Sequence, residues 1–194
     1  MDISLHAVLG FVRYSLQNPR AAARDLLALN LPDVARWCLL GFVATASALF
    51  THILFNALPS DETTFMANAM SSPVRTAIVQ GAALLITVLG VHNVGRWRGG
   101  KGSFRDALLV IGWLQFVLLL FQAAQIAAFL VLPPLAEIIG LFGIVVSLFL
   151  LAQFIAELHG FQSGWRVLFG VLVTIFVAAF GISLAFAMLM GAGS

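Results

Sequence analysis

Charge is what this chain has least of: 9% of its 194 residues are Asp, Glu, Lys or Arg, against about 25% in an average soluble domain. So little charge cannot cover a water-facing surface, which excludes a soluble globular domain as the bulk of the molecule. Cysteine is nearly absent too. Cys38 stands alone, so no internal disulfide is available, and beside Trp37 it reads most simply as a small apolar residue, with lipidation the lesser alternative. A basic start followed by a short apolar stretch and a small-residue cleavage site is also missing. With the first apolar run opening only near Leu31, no cleavable signal peptide is expected, and the first spanning helix serves for insertion.

What the chain does have is apolar sequence. Hydrophobic residues make up 61% and the mean hydropathy is +1.05. They gather into five uncharged runs: Trp37 to Leu58, Thr76 to Gly95, Ala107 to Leu132, Ile138 to Ala156, and Val167 to Met190. Each meets the length of about 17–25 residues needed to cross a hydrocarbon core of about 30 Å, the third with an overhang. The fold class that follows is an all-α membrane protein with five transmembrane helices. Residues 1–32 form a cytoplasmic segment and residues 33–194 the five-helix membrane domain.

Lys and Arg are placed very unevenly. Arg13, Arg20, Arg24 and Arg36 precede the first run, Arg96, Arg98, Lys101 and Arg105 lie between the second and third, and Arg166 lies between the fourth and fifth. Only Arg75 falls on the other side. The positive-inside rule then puts the N-terminus in the cytoplasm and the C-terminus outside. Trp37, Trp97 and Trp165 all sit at the cytoplasmic ends of runs, where an amphipathic ring suits the headgroup level.

Within the central basic stretch, GRWRGGKGS (Gly95 to Ser103) matches the G-x-x-x-x-G-K part of a phosphate-binding loop. Such a loop needs a strand delivering it to a helix N-terminus, and a hydroxyl next to the lysine to hold a magnesium ion. Here Gly102 occupies the hydroxyl position and the preceding segment is of membrane length. The stretch therefore reads as a basic corner between two membrane helices, held near anionic headgroups by about 1 kcal/mol per cation. The net charge of +2 has the same origin and gives no reason to expect nucleic acid.

Before the first run, Leu5, Val8, Leu9, Val12 and Leu16 recur at helical spacing, which predicts an amphipathic helix in the cytoplasmic interface. Asn18 and Pro19 predict the cap and first turn of a second short helix, ending near Asn30 and Pro32. Met66 and Met70, in the loop after the first run, make too weak a pair for a soft metal and read as interfacial packing. Pro133 and Pro134 force the third and fourth runs into antiparallel neighbours. Small residues mark helix contacts: Ala179, Ser183, Ala187 and Gly191 form one ridge, and Ala123 with Ala127 and Ala124 with Ala128 form others. These contacts fit either internal packing or a homo-oligomer.

The intramembrane polar candidates are His52, Gln115, Gln122 and Gln153, with Gln125 and Gln80 nearby. Hydrogen bonding between helices is their simpler use, and a solute path the alternative. Glu157 and His159, in AELHG, could converge where the fourth helix ends at Gly160. A third metal ligand is not near them in sequence, so pairing of Glu157 with a basic residue of the Gly95 to Arg105 corner is expected instead. No nucleophile with an oriented base appears either. The sequence accordingly yields no catalytic residue, metal ligand or cofactor site.

The segments NPRAAARDLL, GGKGSFRDAL and AELHGFQSGWRVL, set on a five-helix plan, resemble the Yip-type (Rab GTPase-interacting) integral membrane proteins, in particular their compact bacterial relatives. The likeness covers nearly the whole chain. It implies a bacterial inner (cytoplasmic) membrane protein with a non-enzymatic role in organising membrane or recruiting partners, and it marks Gly99, Gly100, Glu157, His159 and Gly160 as family-like positions. An Asp-Leu-x-Gly-Pro type motif, found in the cytoplasmic region of eukaryotic members, is absent, so Rab binding is not implied. The functional expectation is a scaffold or adaptor. Arg13, Arg20, Arg24, Arg96, Arg98, Lys101 and Arg105 would contact anionic headgroups or a protein partner whose identity the sequence leaves open. A small-solute transporter or channel, as an oligomer, is the alternative, though five helices do not divide into two equal inverted halves.

Overall fold

The computed structural model describes residues 4–57 and 72–191. It is all helix among those residues: α1 (Leu5–Gln17), α2 (Pro19–Ala28), α3 (Asp33–Ala57), α4 (Pro73–Trp97), α5 (Phe104–Val131), α6 (Pro133–His159) and α7 (Gly164–Gly191). Five of them, α3 to α7, are long and apolar enough to span a bilayer. Each begins before its uncharged run, because helical hydrogen bonding costs nothing extra in the headgroup region and the flanking charges can reach water there. Asp33 and Arg36 thus lie inside α3, and Arg105 and Asp106 inside α5.

The short helices begin and end for local reasons. Ser4 caps α1 by accepting the Ala7 N–H. Asn18 serves both neighbours, its N–H closing α1 on the Tyr14 carbonyl and its own carbonyl opening α2 through the Ala22 N–H, but its side chain makes no cap bond. Pro19 supplies the fixed φ of a first helical turn. α2 stops at Ala28, earlier than the expected end near Asn30 and Pro32, because Asn30 has φ +44° and turns the chain into α3. The Met66 and Met70 pair lies outside the described residues.

α5 is the central pillar. Half of its apolar span is buried, against 6% for α7. It packs on α6, α3 and α4, and the core between them holds Val43, Val88, Leu108, Val110, Ile111, Leu114, Val117, Leu150 and Phe154. Gly112 lets α3 approach, since a Cβ there would meet Leu39 at 3.2 Å. α7 packs on α6, and Ala179 and Ser183 of its small-residue ridge are exposed. Ala128 is buried as expected of a contact residue, but Ala124 and Ala127 face outward.

Helices α1 and α2 form a hairpin docked on one end of the bundle, through Ala22, Ala23 and Leu26 against α5 and α6. Only one side of α1 touches protein. On that side Ser15, fully buried, accepts the Trp113 indole N–H at 3.0 Å and donates to the Phe11 carbonyl, while Phe11 meets the Trp113 ring edge-on at 5.0 Å. Replacing Ser15 with Ala removes the acceptor and leaves the indole N–H unpaired, a loss of about 1–2 kcal/mol. A Ser15→Ala, Trp113→Phe double variant, with neither group left to satisfy, should lose less than the two single variants together. Thermal unfolding in detergent across this double-mutant cycle checks the coupling.

Candidate functional site

The Lys and Arg residues singled out above, apart from Arg75, collect with Glu157 at the end of the bundle where the hairpin docks. Three chain segments meet there: the α4–α5 corner, the α6–α7 turn, and α2. Both turns close in the same way. Gly99 (φ +86°) ends α4 and Gly160 (φ +73°) ends α6, each with the paired backbone bonds of a Schellman motif. Glycine suits both because it adopts the left-handed conformation without the strain that most other residues carry there.

His159 joins the two turns. Its ring is 2% exposed and lies against Gly95, Gly100 and Gly102. A Cβ at Gly95 would fall on Nε2 and one at Gly100 on Nδ1, inside van der Waals contact, and one at Gly102 would come within 2.7 Å of Leu158 and 2.9 Å of the imidazole. The glycines of the phosphate-loop-like stretch therefore make room for an imidazole, not for an anion. The Gly102 N–H donates to Nδ1 at 3.2 Å. An amide N–H can only donate, so Nδ1 is the acceptor and the proton sits on Nε2, which donates to the Val91 carbonyl at 3.1 Å. The Lys101 N–H reaches the His159 carbonyl at 3.4 Å, and Phe161 stacks on the ring at 5.6 Å.

Glu157 goes elsewhere. Residues two apart on a helix point to opposite sides, so with His159 turned to the corner, Glu157 faces α2. It pairs with Arg24 at 2.8 Å and with Arg20 at 3.4 Å. This corrects two expectations: Glu157 and His159 do not converge, and Glu157 does not pair with the 95–105 corner. Arg20 adds bonds to the carbonyls of Phe161 and Gln162, tying α2 to the α6–α7 turn. Because Glu157 accepts a hydrogen bond from it, the Arg24 guanidinium is held above its already high ordinary value.

A second set of contacts fixes α3 to α5. Arg36, with its side chain 8% exposed, donates to Asp106 at 3.0 Å and to the Leu31 carbonyl at 2.9 Å. Ser103 caps α5 by accepting the Asp106 N–H and donates back to the Asp106 carboxylate at 2.6 Å. Asp106 therefore belongs to a helix cap and an ion pair at once. At the rim Arg105 pairs with Asp33 at 3.3 Å. Neither Arg36 nor Asp106 stood out in the sequence. Their only signal was that each lies at the edge of an apolar run with an opposite charge on a neighbouring helix.

The seven basic candidates thus divide. Arg20, Arg24 and Arg105 are engaged in structural ion pairs. Arg13, Arg96, Arg98 and Lys101, together with Arg166, are exposed and make no ion pair among the described residues. Arg98 lies over the Trp97 ring at 6.0 Å, and Trp97 and Trp165 are 83% and 71% exposed on the same rim. The intramembrane candidates are spread out: Gln122 accepts the Ser47 hydroxyl at 2.9 Å, Gln153 fills the space that a Cβ at Gly164 would take, and His52 and Gln115 are half-buried.

The architecture is that of a polytopic helical membrane protein carrying a helical hairpin fixed to one end of its bundle. The family model described as the Yip1 domain matches residues 13–185, and the chain belongs to that family. No curated protein and no solved structure gives a significant match. The matched range takes in the corner, the α6–α7 turn and α2, so the three-glycine pocket for His159 lies wholly within the family's domain.

If the glycines serve His159, a Gly95→Ala variant should be overpacked by about 1–3 kcal/mol or more. Adding His159→Ala to it should restore much of the folded yield in detergent, whereas Gly90→Ala, at an open site on the same helix, should be neutral. Equal damage from Gly95→Ala with and without His159 would contradict the assignment.

Proposed function

We propose that this chain is a non-enzymatic scaffold or adaptor of the bacterial inner membrane, with its hairpin end in the cytoplasm, which organises membrane or recruits a protein partner through that end. The observation that carries the reading is the division of the basic residues. Ion pairs to Asp33, Asp106 and Glu157 connect the segments of this end, and a separate set of cations, Arg13, Arg96, Arg98, Lys101 and Arg166, is left facing outward beside exposed Trp97 and Trp165. Such a rim suits anionic headgroups or an acidic protein surface. The orientation is supported by the basic excess on this end.

Photo-crosslinking in cells from position 98 and from position 17 tests the reading. A recurrent partner is expected at both positions. At about 1 kcal/mol per cation, reversing Arg96, Arg98 and Lys101 to Glu should weaken its capture on the order of a hundredfold. Unchanged capture and unchanged phenotype would sink the proposal.

Orientation is checked separately. In a Cys38→Ser background, a cysteine at Gln162, exposed in the α6–α7 turn, should resist a membrane-impermeant thiol reagent in intact cells, and one placed after Ser194 should react. The reverse pattern would invert the assignment.

A further inference from the structure

Gln122 and Gln125 lie toward the C-terminal end of α5, about 14 Å and about 9 Å from Val131 at the helical rise. α5 has 28 residues, about 42 Å, and overhangs a hydrocarbon core of about 30 Å by about 6 Å at each end when centred. The two amides therefore sit about 8 Å and about 3 Å beneath the hydrocarbon boundary. Gln125 is thus at the level of the first acyl carbons, just beneath the ester groups, and Gln122 lies several acyl carbons deeper.

Both amides line the same opening. A cavity of about 290 Å³ lies between α5 and α6, bounded by Leu118, Phe121, Gln122, Gln125, Gly140 and Ser147. A smaller one of about 90 Å³, between α3 and α5, shares Gln122 and Gln125 with it. Gly140 is what admits the Gln125 amide, since a Cβ there would stand 2.7 Å from its Nε2. Ser47 occupies the Gln122 carbonyl oxygen. The Gln122 amide N–H groups and the whole Gln125 amide have no hydrogen-bond partner among the described residues. Around them Leu141, Phe142 and Ile144 are exposed and apolar, so in a bilayer the surroundings are hydrocarbon and no water is there to accept from the amides.

We propose that the α5–α6 crevice binds the ester and upper acyl region of a membrane diacyl glycerolipid. The Gln125 amide, the nearer to the boundary, donates to an ester carbonyl, and Gln122, Leu118, Phe121 and Ile144 flank the chain. The chemistry fits because the open groups include N–H donors and an ester carbonyl only accepts. No cation lines the crevice, so the contact reads the linkage and the chain, not the headgroup charge. A solvated path across the bilayer fits less well. Below the amides α5 carries Val110, Ile111, Leu114 and Val117, buried against Leu150 and Phe154, and a path would have to open that core.

The test uses the full chain in vesicles of phosphatidylethanolamine with phosphatidylglycerol, containing a phosphatidylglycerol probe with a diazirine near the start of one acyl chain. Labelling should map to residues 118–125 and 139–148. It should fall about fivefold for Gln125→Leu, the factor set by one membrane hydrogen bond of about 1 kcal/mol, and less for Gln122→Leu. An ether-linked probe, lacking the carbonyl, should label the wild-type protein as weakly as the diester probe labels the Gln125→Leu variant. Thermal unfolding of the variants confirms that they remain folded, which removing amides from hydrocarbon favours. Equal labelling by ester and ether probes would overturn the proposal, as would labelling indifferent to Gln125. Crosslinks from these residues to a second copy of the chain, in place of lipid, would overturn it in favour of a dimer interface.

Discussion

One imidazole holds the polar end of this molecule together. His159 sits where the C-termini of α4 and α6 meet, its Nδ1 accepting the Gly102 N–H of the corner and its Nε2–H donating to the Val91 carbonyl of α4. Three glycines exist around it because the ring fills the place of their missing side chains. Once that contact is made, the rest of the end follows. Glu157 must face away, toward α2, and Phe161 must fold over the ring. The α6–α7 turn then presents the carbonyls that Arg20 grips.

The same end shows why an ion pair can matter at a membrane surface when exposed pairs in water contribute little. Arg36 is almost fully buried, and its guanidinium meets both the Asp106 carboxylate and the Leu31 carbonyl, so removing Asp106 would strand the guanidinium at the edge of an apolar core. Arg24 and Arg105 are far more exposed, and their pairs serve to set direction rather than to stabilise. The structural pairs use Asp33, Asp106 and Glu157 and leave several cations outward. An ion-paired base with an unneutralised basic rim results from that imbalance.

The spans were legible in the sequence because lipid imposes a length and bars charge, and both constraints act on residues that are neighbours in the chain. The terminator Gly160 was legible for a similar reason: left-handed ends are local. What the sequence concealed was which distant groups need space or charge. GRWRGGKGS carries the spacing of a phosphate loop, yet its glycines answer to a ring more than fifty residues later (|i−j| = 57 for the Gly102 to His159 bond). Glu157 was identified and its partner was not, since the choice between α2 and the corner turns on which way His159 points. Ser15 and Trp113, and likewise Arg36 and Asp106, are joined only by tertiary packing, and no periodicity announces such pairs.

The account depends most on the protonation pattern of one ring. Nitrogen-15 NMR of the histidine-labelled protein in lipid, with His6, His52 and His92 replaced, should show at neutral pH a single neutral imidazole with its proton on Nε2 and a hydrogen-bonded, unprotonated Nδ1. A proton on Nδ1, or the averaged shifts of a ring exchanging freely between tautomers, would mean that Gly102 does not donate to it. The organisation of the polar end around His159 would then be wrong.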